Sequence, residues 1–306
     1  MQIITVGREH LVWKRSVVTV GTFDGVHLGH QRLLAELVKA SRACRCQPVA
    51  VTFTNHPLDV VDPGATPRQL TSVSERLALL EAHGVETCLL LEFDDKLSKL
   101  DAFGFIEYLR RFFNVQAVVS GFNNRFGARG GRTLHEAVDE FDLAWYVAPE
   151  VKVNGITVSS SQIRTLLSQQ NIAEANAMLG RYYSIHGLVG EGKHLGRTIG
   201  FPTANILVDD SMTLIPGNGV YFGYASVDGT PGELYRAMAN IGYNPTVSDG
   251  ERLGVEVHLI GLPDETELYG RSLTFSFERF HRNEQRFNGI EELKRQLMQD
   301  REAIMM

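Results

Sequence analysis

The strongest constraint on the fold is a change of rhythm near residue 181. Before it, apolar runs and helix-period stripes take turns. VVTVG (17–21) reads as a buried strand, and residues 30–43 carry Leu33, Leu34, Leu37 and Val38 on one helical stripe. PVAVTF (48–53) is strand-like, and Pro57, Pro63 and Pro67 punctuate a loop. A helix follows over 72–83, with Leu77, Leu79 and Leu80 on its stripe and a stop at Gly84. CLLLEF (88–93), VQAVVSGF (115–122) and LAWYVA (143–148) then read as strands, separated by helices over 102–113 and 134–141. Strict alternation of this kind predicts a parallel sheet covered on both faces.

After residue 181 the runs become short, alternating and aromatic: YSIHGLV, GVYFGYASV, YRAMANI, GVEVHLI and RSLTFSFERF, divided by glycine and proline. No long helix is expected until 290–301. This half reads as an antiparallel barrel or sandwich with one closing helix. Helices over 159–168 and 171–180 are expected to bridge the halves.

The chain has 306 residues, long enough for two ordinary domains. No run of about 18 apolar residues occurs, so no membrane span is expected. The first residues lack the order of a signal peptide. Three cysteines, Cys44, Cys46 and Cys88, without a CxxC, suit a reduced cytoplasm. A net charge of −6 argues against nucleic acid as a partner but leaves room for a small anion where cations cluster.

The first junction of strand and helix reads VGTFDGVHLGHQRLL (20–34). The end of a parallel strand followed by a helix start offers unpaired N–H groups and about half a positive charge. Gly21, Gly25 and Gly29 leave the backbone open to a phosphate. His27 and His30, three apart, can face one bound group and donate to its oxygens. A lone histidine would be read as packing or capping. His-x-Gly-His on a strand–turn–helix is read as a site for phosphoryl or nucleotidyl transfer.

That stretch, with Gly21-Thr22-Phe23-Asp24-Gly25 before it, resembles the adenylyltransferase module of bacterial bifunctional riboflavin kinase/FAD synthetases. Ser159-Ser160-Ser161-Gln162-Ile163-Arg164 reads as a capped helix start, with Arg164 at the end of the dipole that disfavours a cation unless an anion sits beside it. The same segment resembles the family's second signature. GFNNRFGARGGR (121–132) is a basic glycine loop that matches the family at Asn123 and Phe126-Gly127 and departs from it at Asn124. One short RGG on an acidic chain is no argument for RNA. Asn55 stands where the family usually has a proline.

In the second half, Gly200-Phe201-Pro202-Thr203-Ala204-Asn205 reads as extended, which points Thr203 and Asn205 the same way. Two neutral oxygens suit Mg²⁺ that keeps phosphate and water ligands. Upstream, Gly190-Glu191-Gly192-Lys193-His194-Leu195-Gly196-Arg197 is glycine-rich and basic, yet is neither GxGxxG nor a Walker A loop. Val255-Glu256-Val257-His258-Leu259 alternates, with Glu256 and His258 on one face. A carboxylate near Mg-ATP is what a phosphoryl acceptor needs.

These stretches, with Asn240-Ile241-Gly242-Tyr243-Asn244-Pro245-Thr246 and Arg282-Asn283-Glu284-Gln285-Arg286-Phe287, resemble the riboflavin kinase domain of the same family. The resemblance implies an α/β plus β chain: a doubly wound parallel-sheet nucleotidyltransferase domain (1–181) and a small antiparallel β-barrel kinase domain with a closing helix (182–306). It implies that ATP, riboflavin, FMN and FAD are the small-molecule substrates and products, with Mg²⁺ as cofactor. It assigns catalytic roles to His27, His30, Arg164 and Glu256. Nucleotide contacts would come from Gly21, Phe23, Gly25, Gly29, Asn123 and Ser160 in one half. In the other they would come from Gly192, Lys193, Gly200, Pro202, Thr203 and Asn205. Thr203 and Asn205 would hold the metal, and Asn240, Glu284 and Phe287 would border the flavin. Two rival readings stay open here: a riboflavin kinase whose first half is inactive or uses another nucleotide, and a non-catalytic flavin-binding regulator.

Overall fold

Continuous β-branched runs bury both faces of a strand, and the first half is built around such runs. The computed structural model describes residues 1–5, 14–123, 127, 130–191, 195–208, 212–228, 234–244, 252–263 and 266–305. The chain divides into two compact units, Met1–Ser160 and Ser161–Met306.

In the first unit, β1 (Gln2–Thr5), β2 (Arg15–Val20), β3 (Gln47–Phe53), β4 (Thr87–Leu91), β5 (Asn114–Gly121) and β6 (Ala144–Ala148) form one sheet in the order β1-β4-β3-β2-β5-β6. Every pairing in it is parallel. Val18, Val20, Val49 and Val51 face one core with Phe105 and Ile106. Val17, Ala50, Cys88 and Val119 face the other, against Leu33, Leu34 and Leu37 of α1 (Leu28–Cys44). The expected two-faced sheet is therefore present, except along β6. There Trp145, Tyr146 and Val147 are exposed, because an edge strand has a neighbour on one side only.

The remaining helices of this unit are α2 (Leu58–Val61), α3 (Val73–Ala82), α4 (Asp95–Ser98), α5 (Ala102–Leu109) and α6 (Leu134–Glu140). Helix α5 stops short of the expected residue 113, since Phe112 and Phe113 turn into the core instead of continuing the helix. A hairpin of β7 (Lys152–Val153) and β8 (Ile156–Thr157) turns at Asn154-Gly155, both at positive φ, as a tight hairpin requires.

Helices α7 (Ser160–Ser168) and α8 (Ile172–Leu179) lead into the second unit. Here β9 (Tyr183–Gly190), β10 (Ala204–Val208), β11 (Gly219–Val227), β12 (Tyr235–Asn244), β13 (Arg252–Leu259) and β14 (Ser272–Arg282) close a barrel in the order β10-β13-β12-β11-β14-β9. All its pairings are antiparallel, and closure of the single sheet on itself resolves barrel against sandwich. The short α9 (Leu195–Thr198) precedes β10. The closing helix α10 (Ile290–Met305) packs Ile304 against Phe222, Met238, Ile199 and Phe201 on the outside of the barrel. Among the described residues no helix is long and apolar enough to cross a membrane.

Candidate active sites

The strand order places a topological switch between β2 and β5: from β2 the chain passes to β3 and β4 on one side, then returns to the other. Ligands of open α/β sheets bind at the carboxyl ends of strands beside such a switch. His27, His30 and Asn123 all follow the carboxyl ends of these two strands.

The connection from β2 to α1 is a strained turn. Phe23 at φ 51° and Val26 at φ 36° are non-glycine residues in left-handed conformations, and Gly25 at φ 80° is the position where glycine is needed. Strain of this kind costs of order 1–3 kcal/mol per residue and survives only where neighbours enforce it. Asp24, 1% exposed, accepts from the amides of Leu70 (2.9 Å) and Thr71 (3.1 Å). The Gly25 amide donates to Thr71 Oγ1 at 3.0 Å, and Ser160 Oγ donates to the Asp24 carbonyl at 2.8 Å. The serine of the second signature thus meets the turn of the first.

His27 caps α1, its Nδ1 accepting from the His30 amide at 3.3 Å. A neutral His27 therefore carries its proton on Nε2, where it can be donated. The two imidazoles stack, with centroids 3.7 Å apart and planes 15° apart. A Cβ on Gly29 would sit 3.1 Å from the His27 ring, so the glycine makes room for the imidazole. Gly21 has only ordinary contacts, with the Phe23 ring. Phe23 is fully buried, its ring edge-on to His30 at 5.3 Å. Any nucleotide contact of Phe23 is left to its main chain.

Burial lowers the His30 pKa well below the usual value, and the charges of His27 and Arg76 add to the effect. His30 is neutral, and its enclosed Nδ1 has no partner among the described residues. A stacked imidazole pair at a helix N-terminus, with His30 held neutral, is suited to donate to a bound phosphate. Asn123 lies in the exposed turn after β5, and Arg164 lies in α7 within the second unit. Asn124 and Phe126 lie outside the described residues.

Sequence reasoning missed the stretch behind the turn, residues 70–76. Its signal was Arg76 on the apolar side of α3, one turn before the buried Leu80. Asn55 bonds to the loop after β4, its amide donating to the Phe93 carbonyl (3.0 Å) and accepting from the Phe93 amide (2.8 Å). The departure from proline is a bridge between the loops that follow β3 and β4.

In the barrel, strand register does the assembling. Asn205 on β10 pairs with Glu256 on β13, which pairs with Asn240 on β12. These three half-buried residues form a row across adjacent strands. On the other side of Asn205 the row continues to Gly190. Thr203, two residues before Asn205, is exposed just ahead of β10. His258, on the same face as Glu256, is buried and its Nδ1–H donates to the Pro202 carbonyl at 2.8 Å. Burial lowers the His258 pKa, which the bond to Pro202 opposes and the charge of Arg301 assists. The neutral ring pins the 201–203 segment to β13.

A Cβ on Gly196 would strike the Phe201 carbonyl and come within 3.3 Å of Thr203 Oγ1, so a glycine shapes this corner. Gly200, at φ 82°, turns the chain into the segment. Asn240 Nδ2 donates to Glu284 Oε1 at 3.3 Å, and a Cβ on Gly242 would collide with the same carboxylate. Glu284 is exposed and Phe287 half-buried in the stretch before α10. Gly192, Lys193, Pro245 and Thr246 lie outside the described residues. No group of three or more His, Cys, Asp or Glu suited to a metal occurs among the described residues. The donors that register brings together are neutral oxygens and one carboxylate.

Comparison with known proteins gives each half a relative. A family model described as FAD synthetase matches residues 10–162, and one described as riboflavin kinase matches residues 179–306. The bifunctional riboflavin kinase/FMN adenylyltransferase of Bacillus subtilis (strain 168) is 33% identical over 293 residues, covering 94% of this chain and 91% of its own. The protein of the same name from Escherichia coli (strain K12) is 36% identical over 290 residues, covering 93% and 90%. A solved structure described as a macrolide-efflux protein from Streptococcus pneumoniae superposes with a TM-score of 0.90 at 30% identity, over 100% of this chain and 99% of that one. Its description speaks of efflux, whereas both family models and both curated relatives speak of flavin chemistry. With a nucleotidyltransferase-type junction in one half, a carboxylate row in the other, and relatives matched over nine-tenths of their length, the chain belongs to the bifunctional riboflavin kinase/FMN adenylyltransferase family.

Proposed function

We propose that the chain makes FAD from riboflavin in two steps. In residues 182–306 the γ-phosphate of ATP passes to the ribityl 5′-hydroxyl of riboflavin, giving FMN. In residues 1–181 AMP passes from a second ATP to FMN, giving FAD and pyrophosphate. The observation that carries the reading is that each half has its own group: Glu256 paired with Asn205 and Asn240 in one register row of the second, and the stacked His27 and His30 in the first.

In the kinase step Glu256 takes the proton of the attacking hydroxyl. Asn240, Glu284 and Phe287 hold the flavin, with Gly242 leaving space for the Glu284 carboxylate. Gly192, Lys193, Gly200 and Pro202 are assigned to binding the nucleotide, as the family resemblance implies. Thr203 and Asn205 would hold Mg²⁺. The site fits that ion, because two neutral oxygens and a nearby carboxylate leave positions for water and phosphate. When bound, the ion offsets charge on the phosphate oxygens.

In the adenylyl step no protein nucleophile is needed. His27 and His30 donate to phosphate oxygens as charge grows, Arg164 adds a cation, and the backbone of Gly21, Phe23, Gly25 and Gly29 with Asn123 and Ser160 seats the nucleotide. The three free thiols support a reducing cytoplasm as its location, with small molecules as its partners.

Mixing the protein with riboflavin, ATP and Mg²⁺ and separating the products by chromatography tests this. FAD is expected. FMN alone would mark a kinase with an adapted first half, and bound riboflavin without turnover would mark a flavin-binding regulator.

A further inference from the structure

The strained turn between β2 and α1 is held from behind by one short stretch, residues 70–76. Asp24 and Gly25 bond to its first two residues, Leu70 and Thr71. Its last residue, Arg76, donates from Nη1 to the Thr22 carbonyl at 2.7 Å and to Thr52 Oγ1 at 3.1 Å. Arg76 is only 5% exposed, and its Nε has no acceptor among the described residues. A buried guanidinium with a nitrogen unmatched is destabilising in itself. A leucine at this position of α3 would extend the apolar face that Leu80 continues. Packing does not explain the arginine. What it does touch is the residue that opens the strained turn.

We propose that Arg76 is a positioning residue for adenylyl transfer: its guanidinium ties the Thr22 carbonyl to β3 and so fixes the turn that aims His27 and His30. The inference rests on the adenylyl-transfer reading above. Thr22 is followed at once by Phe23 in a left-handed conformation, so the direction of the Thr22 peptide sets where the turn begins. Loss of the tie lets the turn relax toward ordinary backbone angles, and a displacement of about 1 Å at a reacting centre costs up to about a hundredfold in rate.

Arg76 also marks the site electrically. Among the described residues, the charged or titratable groups that act on His30 are His27 from the turn and Arg76 from α3, and both disfavour the imidazolium. Burial lowers the Arg76 pKa, and the charge of Asp24 opposes that effect. A change at Arg76 therefore reaches His30 in a way that a general loss of fold does not.

The test measures kcat/KM for FAD formation from FMN and Mg-ATP between pH 5 and 9, alongside riboflavin phosphorylation by the same preparations. A wild-type protein that forms no FAD ends the adenylyl-transfer reading and this inference with it. Given FAD formation, R76M should lose at least about tenfold in kcat/KM. Its acid limb should move to higher pH, because removing the cation raises the His30 pKa. R76K keeps the charge, so its acid limb should stay at the wild-type position, with part of the rate restored. Kinase activity should be unchanged in both. A smaller population of folded protein would lower the rate without moving the limb. The inference is overturned if R76M matches wild type, if it loses rate with an unmoved limb, or if R76K behaves as R76M. Should R76M fail to fold, T52V decides: without altering any charge it removes one of the two acceptors of Nη1 and, with it, the Thr52 hydroxyl's own bond to the Thr22 carbonyl at 3.1 Å, so that the link from that carbonyl through Arg76 to β3 is broken. A loss of at least about threefold with the limb in place supports the tie, and no loss refutes it.

Discussion

Replacing Asp300 by asparagine should loosen the closing helix of the barrel by about 3 kcal/mol, and the structure says why. Asp300 is 1% exposed on α10 and joins the helix to His281 and Arg282, the last residues of β14, a link that the bond from Arg279 to the Ala303 carbonyl supplements. Arg282 grips both its oxygens, Nη2 at 2.7 Å and Nε at 3.1 Å, while His281 Nε2 lies 3.1 Å away and Gln296 donates at 2.9 Å. His281 is in turn stacked on Phe222 at 4.1 Å. Removing one partner of a buried, hydrogen-bonded ion pair costs about 3–5 kcal/mol, because the other charge stays buried. An amide keeps the shape and one acceptor, which places D300N at the low end. At 1.4 kcal/mol per decade, about 3 kcal/mol is a hundredfold loss of amide protection in α10.

Hydrogen exchange resolved by segment is the suitable assay, since the two units need not unfold together. Protection should fall in α10 and in the stretch before it, which bears Glu284 and Phe287, and should hold in the parallel sheet of the first unit. R282M should cost a similar amount, and the double variant much less than the sum, because both changes break the same bond. The pH dependence has a definite sign. Burial raises the Asp300 pKa, but the bonds from Arg282, Gln296 and His281 override it and hold the carboxyl below its ordinary value. The clamp is complete above the ordinary carboxylate range near ~4 and is lost as pH falls through the depressed folded value. D300N should show no such step. Equal protection in wild type and D300N, or additive effects of D300N and R282M, would refute the clamp.

Other outcomes follow from the two sites. H30A should abolish FAD formation from FMN and leave riboflavin phosphorylation intact, while E256Q should do the reverse; a variant that stops both reactions in folded protein would remove the division of labour. G242A should raise the KM for riboflavin about tenfold with little change in FAD formation, because its methyl group displaces the Glu284 carboxylate, and steady-state kinetics with riboflavin varied will show it. Chelation by EDTA should stop both reactions, and added Mg²⁺ should restore them. Cys88, buried with its pKa pushed up to about 12, should resist iodoacetamide at pH 8 in the native protein and react after denaturation, as mass spectrometry can follow.

Much of this architecture could be read from local pattern. A parallel strand buried on both faces needs an unbroken apolar run, so VVTVG and PVAVTF declare themselves without help from the rest of the chain. The barrel strands alternate because one face is interior, and β14 shows it residue by residue. Where the pattern was weak, so was the reading. β1 is a four-residue edge strand, and β10 was read only as an extended approach to Asn205. The hairpin at Asn154-Gly155 carried a good turn signal, but its strands are two residues each.

The sites divide along the same line, and the reason is physical. His27 and His30 meet because a helix brings residues three apart to one face, a relation contained in their spacing. Thr203 and Asn205 are related by the strand period. Glu256 joins Asn205 through strand register, which no local spacing states; only a complete barrel brings the two together. Arg76 and Asp300 are further removed still. Each is a charged residue on a helix face that is otherwise apolar, and their partners lie 54 and 18 positions away. Sequence can flag them as out of place, since burying a charge needs a compensating partner. What it cannot say is which carbonyl or guanidinium compensates, because that depends on how layers stack. The residues proposed for the chemistry were legible because such chemistry restricts their type, whereas Arg76 and Asp300 are restricted by geometry alone.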